Sequence, residues 1–383
     1  MKKILYVIPS LGAGGAEKTL ILVANALTRQ YGYSVSILVF SDDLYYRELL
    51  DSRVRLITHN LYKNKSRIQS IISTYIRCAI YLKKQLSRQQ YDIVVSGYEI
   101  DAELPIIEVI LANVLLFRKK TIRYVSVLQA SMKGIHQKHG SRRNLHILHL
   151  IEFLRWRLFH KIIVVAPSML NECPASVHDR ISVIPNPVDS ELVRNLAVMP
   201  LNEGVLKQAY FINIARISHQ KNQLCLVRAF NAIKTQTDWN LVVLGTISNE
   251  AYYREVTQMI EREGLTDRIF YLGTPVNPYP YLKNARAFVF SSRYEGYSLA
   301  ILEAMALKKT IISTRFIGYE NILSDCNAVL VENENERQLA QAMLAIATGT
   351  LKTASLTENA LSLVAACEIS TVALHYHTVF CSL

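Results

Sequence analysis

Short apolar runs alternate with longer amphipathic stretches along almost the whole chain, in the order strand, helix, strand. In the first half, Lys3 to Pro9, Ser34 to Phe40, Tyr91 to Ser96, Thr121 to Leu128 and Lys161 to Pro167 read as strands. In the second half, Tyr210 to Ile214, Asn240 to Gly245, Arg268 to Gly273, Ala287 to Phe290 and Thr310 to Thr314 read the same way. Helical spacing fills the gaps: Lys18 to Arg29, Arg67 to Arg88, Ser141 to Lys161, a helix beginning at Ser168, Leu224 to Lys234, Glu250 to Gly264, Leu299 to Leu307, Asn335 to Thr348 and Val372 to Phe380. Strands alternating with helices predict α/β domains with parallel sheets, and 383 residues suffice for two of them. Pro185 and Pro187 stiffen the end of the first domain, and Met199 to Gly204 reads as a hinge. The expected division is 1–198, 199–367 and a terminal helix, 368–383.

One stretch, Arg293 to Ser313, demands a chemical explanation. A buried strand leads into it, and Ser298 stands where an N-cap would start the helix from Leu299. Glu303 lies among Leu302, Ala304, Met305 and Ala306, where a carboxylate is costly without a donor. Eight residues earlier, Glu295 falls on the loop; Gly296 admits a ligand close to the backbone, and the first helical turn is a ready anion site. An amphipathic helix with one solvated Glu satisfies the same spacing. Arg216 and Lys221 share another strand-to-helix loop, placed either to grip a diphosphate or to face water. Near the N-terminus Gly12 and Gly14 begin a dinucleotide-like glycine pattern, but Glu17 occupies the third glycine's place, so the pattern is weak and a capped tight turn explains it too.

Composition narrows the classes. No run reaches the roughly 18 apolar residues that span a bilayer, and Met1-Lys2-Lys3 leads directly into a strand, so a cytoplasmic protein is expected. Six scattered cysteines lack metal or disulfide spacing. Net charge is +12, but Met1 to Pro187 alone holds 26 Lys and Arg against 13 Asp and Glu. A basic half beside a neutral one points to a polyanion or an anionic membrane. Its helices Arg67–Arg88 and Ser141–Lys161 join basic residues to apolar and aromatic ones, the composition of interfacial helices.

The Glu-x7-Glu pair inside Glu295-Gly-Tyr-Ser-Leu and Leu302-Glu-Ala-Met-Ala resembles the donor-site signature of retaining GT-B glycosyltransferases of family 4, also called group 1. The Arg216 to Lys221 spacing, Gly14-Gly15-Ala-Glu17 and Ile184-Pro-Asn-Pro-Val-Asp189 are similar to further family elements. The resemblance implies a GT-B architecture, two Rossmann-like domains facing each other across a deep cleft, with the last helix returning to the first domain. It implies that Glu303 binds the ribose diol of a sugar nucleotide and that Glu295 lies near the transferred sugar. Backbone amides of Gly296, Tyr297, Ser298 and Leu299 would hold the diphosphate with Arg216 and Lys221, and the loop after Gly273 would meet the base. Gly14, Gly15 and Glu17 would lie on the acceptor side, with Gly15 also near the donor.

The sequence departs from the family in five places. Ala215 and Pro187 replace glycines, and Lys308 and Thr310 replace the glycine and proline after the central helix. A Lys308 that kept the left-handed conformation would cost about 1 kcal/mol. Gln129 stands where the family often has a histidine, with His136 and His139 nearby. Only Asp101-Ala-Glu103 approaches a metal-binding Asp-x-Asp, so transfer is expected to need no metal or other cofactor. The expected partners are a nucleotide-diphosphate sugar, a glycan or lipid-linked acceptor and the inner face of the cytoplasmic membrane, with no nucleic acid. A sugar-nucleotide epimerase of the same fold, or a basic nucleic-acid- or membrane-binding protein without catalysis, are the competing readings. A dehydrogenase is disfavoured by Glu17.

Overall fold

The computed structural model describes residues 2–60, 68–96, 121–129, 152–201 and 208–383. Arg67, residues 141–151 of the second basic helix, Asp101, Glu103, His136, His139 and residues 202–204 of the expected hinge lie outside the described residues. The chain divides into two compact units, Met1–Pro187 with Ile369–Leu383, and Val188–Glu368.

The first unit is built on β1 (Lys3–Ile8), β2 (Ser34–Val39), β3 (Arg55–Thr58), β4 (Ile93–Ser96), β5 (Arg123–Leu128), β6 (Lys161–Val164) and β7 (Ile181–Val183). They form one parallel sheet in the order β3-β2-β1-β4-β5-β6-β7. Strands covered on both faces need apolar residues at consecutive positions, and Ile4 through Ile8 and Val35 through Val39 are buried without interruption. Strand order reverses between β1 and β4, the switch point at which such sheets bind ligands. Helix α1 (Gly15–Tyr31) crosses from β1 to β2 and ends at Gly32 in the left-handed conformation. In α2 (Ile68–Arg88), described for its side chains from Ile76 onwards, Cys78, Ala79, Leu82 and Leu86 turn inward. Ile76 and Ile80 on the other side are exposed, the latter by 58%, beside exposed Arg77, Lys83 and Lys84. Helix α3 (residues 152–158) likewise exposes Phe153, by 59%, and Arg157. The helix expected from Ser168 is instead a 3₁₀ turn, Pro167–Glu172, started by a proline and stopped before Pro174.

The second unit repeats the plan. Strands β8 (Tyr210–Ile214), β9 (Asn240–Leu244), β10 (Ile269–Tyr271), β11 (Ala287–Phe290), β12 (Thr310–Thr314) and β13 (Val329–Val331) pair in parallel in the order β10-β9-β8-β11-β12-β13. Its switch point lies between β8 and β11. The helices are α4 (Ser190–Ala197), α5 (Gln223–Ile233), α6 (Glu250–Arg262), α7 (Tyr279–Asn284), α8 (Leu299–Ala306), α9 (Glu336–Ala347) and α10 (Ala354–Ala366).

The boundary expected at 198 falls between Pro187 and Val188, because α4 packs on α7 and α8. The Asp189 side chain caps α4 by accepting from the Leu192 amide at 2.8 Å. Asn277 Nδ2 donates to Leu196 O at 2.8 Å and ties the same helix to the loop before α7.

Lys308 keeps the left-handed backbone that a glycine would favour, with φ +54°. The Lys308 amide donates to Met305 O and the Lys309 amide to Ala304 O, both at 2.9 Å, which together satisfy the last carbonyls of α8 in a Schellman ending. Thr310 needs no proline's rigidity, since it opens β12 opposite Ala287.

Helix α11 (Ile369–Cys381) belongs to the first unit, where it packs on α1. It buries Val372, Ala373, Tyr376, Val379 and Phe380, and Lys2 Nζ donates to Phe380 O at 2.6 Å.

Candidate active site

At the carboxyl end of β8 the chain passes through Ala215 and Arg216 into a turn that ends at Asn222, the left-handed N-cap of α5. Ala215 has no left-handed backbone, so replacing a glycine there costs no strain. Buried Gln223 closes the turn from within: its Nε2 donates to Arg216 O at 3.0 Å and its Oε1 accepts from the Ser218 amide at 3.3 Å. A sequence reading passes over this glutamine as an ordinary first-turn residue. It holds the backbone between the two cations in one shape.

The neighbouring strand β11 delivers the second loop, and the two are sewn together. Ser291 Oγ donates to Lys221 O at 2.8 Å, the Arg293 amide to Gln220 O at 2.8 Å, and Gln220 Nε2 to Tyr294 O at 2.9 Å. The Glu295 amide donates to Ile317 O at 3.0 Å on the far side. Gly318, with φ +95°, must be glycine, because a Cβ would stand 2.6 Å from Glu295 O.

These contacts bring Lys221 and Glu295 together. Lys221 Nζ lies 2.6 Å from Glu295 Oε1, with only 12% and 10% of the two side chains exposed. The ammonium also sits 5.2 Å from the centre of the Phe290 ring. A largely buried cation and carboxylate at the carboxyl end of the switch-point strands form a polar site that packing alone does not require.

Gly296 and Tyr297 lead from Glu295 to α8, whose N-cap Ser298 makes no side-chain capping bond. This end of the helix presents its amides and the positive end of its dipole. Burial, with Cys367 3.1 Å from its hydroxyl, pushes the Tyr297 phenol well above its ordinary value, so it stays neutral. Leu299 is buried with the apolar body of the helix.

Glu303, 7% exposed, receives the donor its surroundings demand: the Tyr279 hydroxyl donates to Glu303 Oε1 at 3.0 Å. Tyr279 was not singled out by the sequence, where it reads as one aromatic in a proline-rich stretch. Gly273 closes β10 in a left-handed turn, φ +66°, and its carbonyl accepts from the Gly245 amide at 2.7 Å.

The residues expected on the acceptor side lie in the first unit. Gly14 is the N-cap of α1 and Gly15 its first residue. Glu17 folds back over Gly14 so closely that a Cβ there would stand 2.1 Å from its Oε2. The third-glycine position is thus taken by a carboxylate in the first turn of α1, packed against the N-cap, where a dinucleotide site would have a glycine. Gln129 follows β5; it is buried, and its Nε2 has no hydrogen-bond partner among the described residues.

Two successive parallel sheets of Rossmann order are the plan of the GT-B fold. The Anabaena protein HepE, solved with UDP and glucose, superimposes on this chain with a TM-score of 0.78 at 19% identity, covering 100% of both chains. Residues 208–348 match the glycosyl transferases group 1 domain and residues 13–192 the glycosyltransferase family 4 domain. The chain belongs to this family of glycosyltransferases.

Among its relatives is a Campylobacter jejuni N-acetylgalactosamine-N,N'-diacetylbacillosaminyl-diphospho-undecaprenol 4-alpha-N-acetylgalactosaminyltransferase, 23% identical over 354 residues, which are 90% of this chain and 89% of that enzyme. An uncharacterised glycosyltransferase of Methanocaldococcus jannaschii is 25% identical over 240 residues, 58% of this chain. The chain spans 55% of that relative's length.

Proposed function

We propose that this protein transfers a sugar from a nucleotide-diphosphate sugar to a lipid-linked glycan, with retention of configuration and without a metal, in the assembly of a surface polysaccharide. The observation that carries the reading is the largely buried Lys221–Glu295 pair at the switch point of the second sheet, on the loop that leads into α8. Negative charge grows on the departing diphosphate as the glycosidic bond breaks. Arg216, Lys221 and the N-terminal amides of α8 supply the cations and amide donors that stabilise this charge, the service a metal performs elsewhere. Because Lys221 is paired, the diphosphate shares its ammonium with Glu295. That keeps the carboxylate beside the leaving group, where it faces the transferred sugar. Glu303 takes the ribose, and Gln129, Gly14, Gly15 and Glu17 line the acceptor side.

The lipid-linked acceptor is supported by the Campylobacter relative, whose name specifies a diphospho-undecaprenol substrate. It is also supported by the surface of the first unit. No helix among the described residues is long and apolar enough to cross a membrane. The exposed Ile76, Ile80 and Phe153 beside Arg77, Lys83, Lys84 and Arg157 instead suit a helix face lying in an anionic interface. These features support the reading that the enzyme works on the inner face of the cytoplasmic membrane.

The test is transfer in vitro from nucleotide sugars to an undecaprenyl-diphosphate-linked saccharide, with the anomeric coupling of the product read by NMR. An axial donor giving an axial product supports retention. An inverted product overturns that part of the reading, and release of an epimerised sugar nucleotide would favour the epimerase.

A further inference from the structure

We infer that Tyr279 is a positioning residue for the ribose site, fixing Glu303 so that the protein distinguishes ribonucleotide from 2′-deoxyribonucleotide donors. The inference rests on the reading of Glu303 as the ribose ligand. A glutamate has three rotatable side-chain bonds, and holding its carboxylate at one angle in an apolar helix requires an anchor. The Tyr279 hydroxyl, 3.0 Å from Oε1, is that anchor.

Tyr279 is itself immobilised. It is 3% exposed at the start of α7, and its amide donates to Asn277 Oδ1 at 3.1 Å. Asn277 in turn donates through Nδ2 to Leu196 O of α4, at 2.8 Å. Helix α4 packs on both α7 and α8, so the residue that aims the carboxylate and the helix that carries it share one support.

The chemistry of the anchor suits a diol. A phenol supplies one neutral proton, so Glu303 keeps its negative charge and accepts from sugar hydroxyls in charge-assisted bonds. A lysine or arginine there would cancel the charge and compete for the same oxygens. A phenol on one oxygen also fixes the carboxylate plane, and two vicinal hydroxyls need a fixed plane to bind together. A donor lacking the 2′-hydroxyl leaves part of that acceptor unanswered, and sites of this kind reject such analogues strongly.

The experiment titrates UDP, GDP, ADP and CDP into the wild-type protein by calorimetry, takes the tightest, and repeats the titration with its 2′-deoxy counterpart. The same pair is then measured on Tyr279→Phe, Glu303→Gln and the double variant. The wild type should prefer the ribonucleotide by about thirtyfold, as expected for losing a hydrogen bond to a charged group. Tyr279→Phe should reduce that ratio to about three- to fivefold, and Glu303→Gln and the double variant should both approach unity. In turnover Tyr279→Phe should raise the donor KM and leave kcat within about twofold.

A Tyr279→Phe protein that weakens both nucleotides equally, or keeps the wild-type ratio while Glu303→Gln loses it, overturns the positioning role. A Glu303→Gln protein that keeps the full ratio shows that the ribose reading itself is wrong. Tyr279→His, which restores a polar donor in a smaller ring, provides a second measure should the phenylalanine variant misfold: it should recover part of the preference, and no recovery counts against the role.

Discussion

Replacing Lys221 with methionine keeps the apolar stem against Phe290 and removes only the charge, so it separates what the ammonium does for folding from what it does for binding. Removing one partner of a buried ion pair costs about 3–5 kcal/mol. Here about a tenth of each side chain is exposed and Gln220 Nε2 lies 3.5 Å from the same carboxylate oxygen, so the low end applies, about 3 kcal/mol. Much of that is the orphaned Glu295 charge, and the double variant with Glu295→Gln should recover roughly 2 kcal/mol.

Binding should behave differently. Lys221→Met forfeits a charge-assisted contact to the diphosphate worth about 2 kcal/mol, close to thirtyfold in Kd. Glu295→Gln releases the ammonium from its partner and should bind a nucleoside diphosphate at least as tightly as the wild type, yet transfer sugar poorly. Urea melts give the stabilities and calorimetry the affinities. If Lys221→Met binds as tightly as the parent, or Glu295→Gln weakens binding as much as Lys221→Met does, the diphosphate is not held here.

Transfer should persist in excess chelator, and activity that vanishes and returns with magnesium or manganese would refute the metal-free mechanism. The protein should bind anionic vesicles reversibly and release in high salt; Arg77, Lys83 and Lys84 all changed to Glu should reduce binding while leaving hydrolysis of the free donor intact, and equal binding to neutral vesicles would refute the assignment. Lys308→Gly should raise stability by about 1 kcal/mol, since it removes the strain of φ +54° in the ending of α8; destabilisation on a urea melt would contradict that account.

Burial holds the Cys173 and Cys225 thiols at about 11, above the ordinary value, so the unfolded chain ionises first. Their stabilising contribution is complete below the ordinary thiol range and is lost as pH rises towards 11. Melts from pH 8 to 11 should show the decline, less steep when both are alanine. Under native conditions only the exposed Cys326 and Cys381 should react rapidly with a thiol reagent, and fast labelling of a third cysteine would contradict the packing.

The alternating plan was legible because parallel strands buried on both faces leave apolar runs such as Ile4 to Ile8 that no other local structure explains so well. Glu303 was legible as an anomaly, a carboxylate in an apolar helix. Its partner was not: Tyr279 lies 24 residues away on a six-residue helix, and only the packing of α4, α7 and α8 brings them together. The unit boundary was misplaced for the same reason, since nothing local in residues 190–197 says which sheet they cover. Pro185 and Pro187 read as the stiff end of the first domain, whereas the helix after them is set by the Asp189 cap and by its packing on α7 and α8. Gln220 and Gln223 were equally silent, because their bonds to Tyr294 and Arg216 depend on how two loops meet.

The central claim is that the second unit uses Lys221, Glu295 and Glu303 on a nucleotide-diphosphate sugar. The most direct measurement incubates the wild-type protein and Glu295→Gln with a panel of UDP-, GDP-, ADP-, CMP- and dTDP-linked sugars and follows release of the nucleotide. One diphosphate sugar should be hydrolysed slowly by the wild type, at a rate well above the blank, and not by Glu295→Gln. Release from no member of the panel, or equal release by both proteins, would contradict the account.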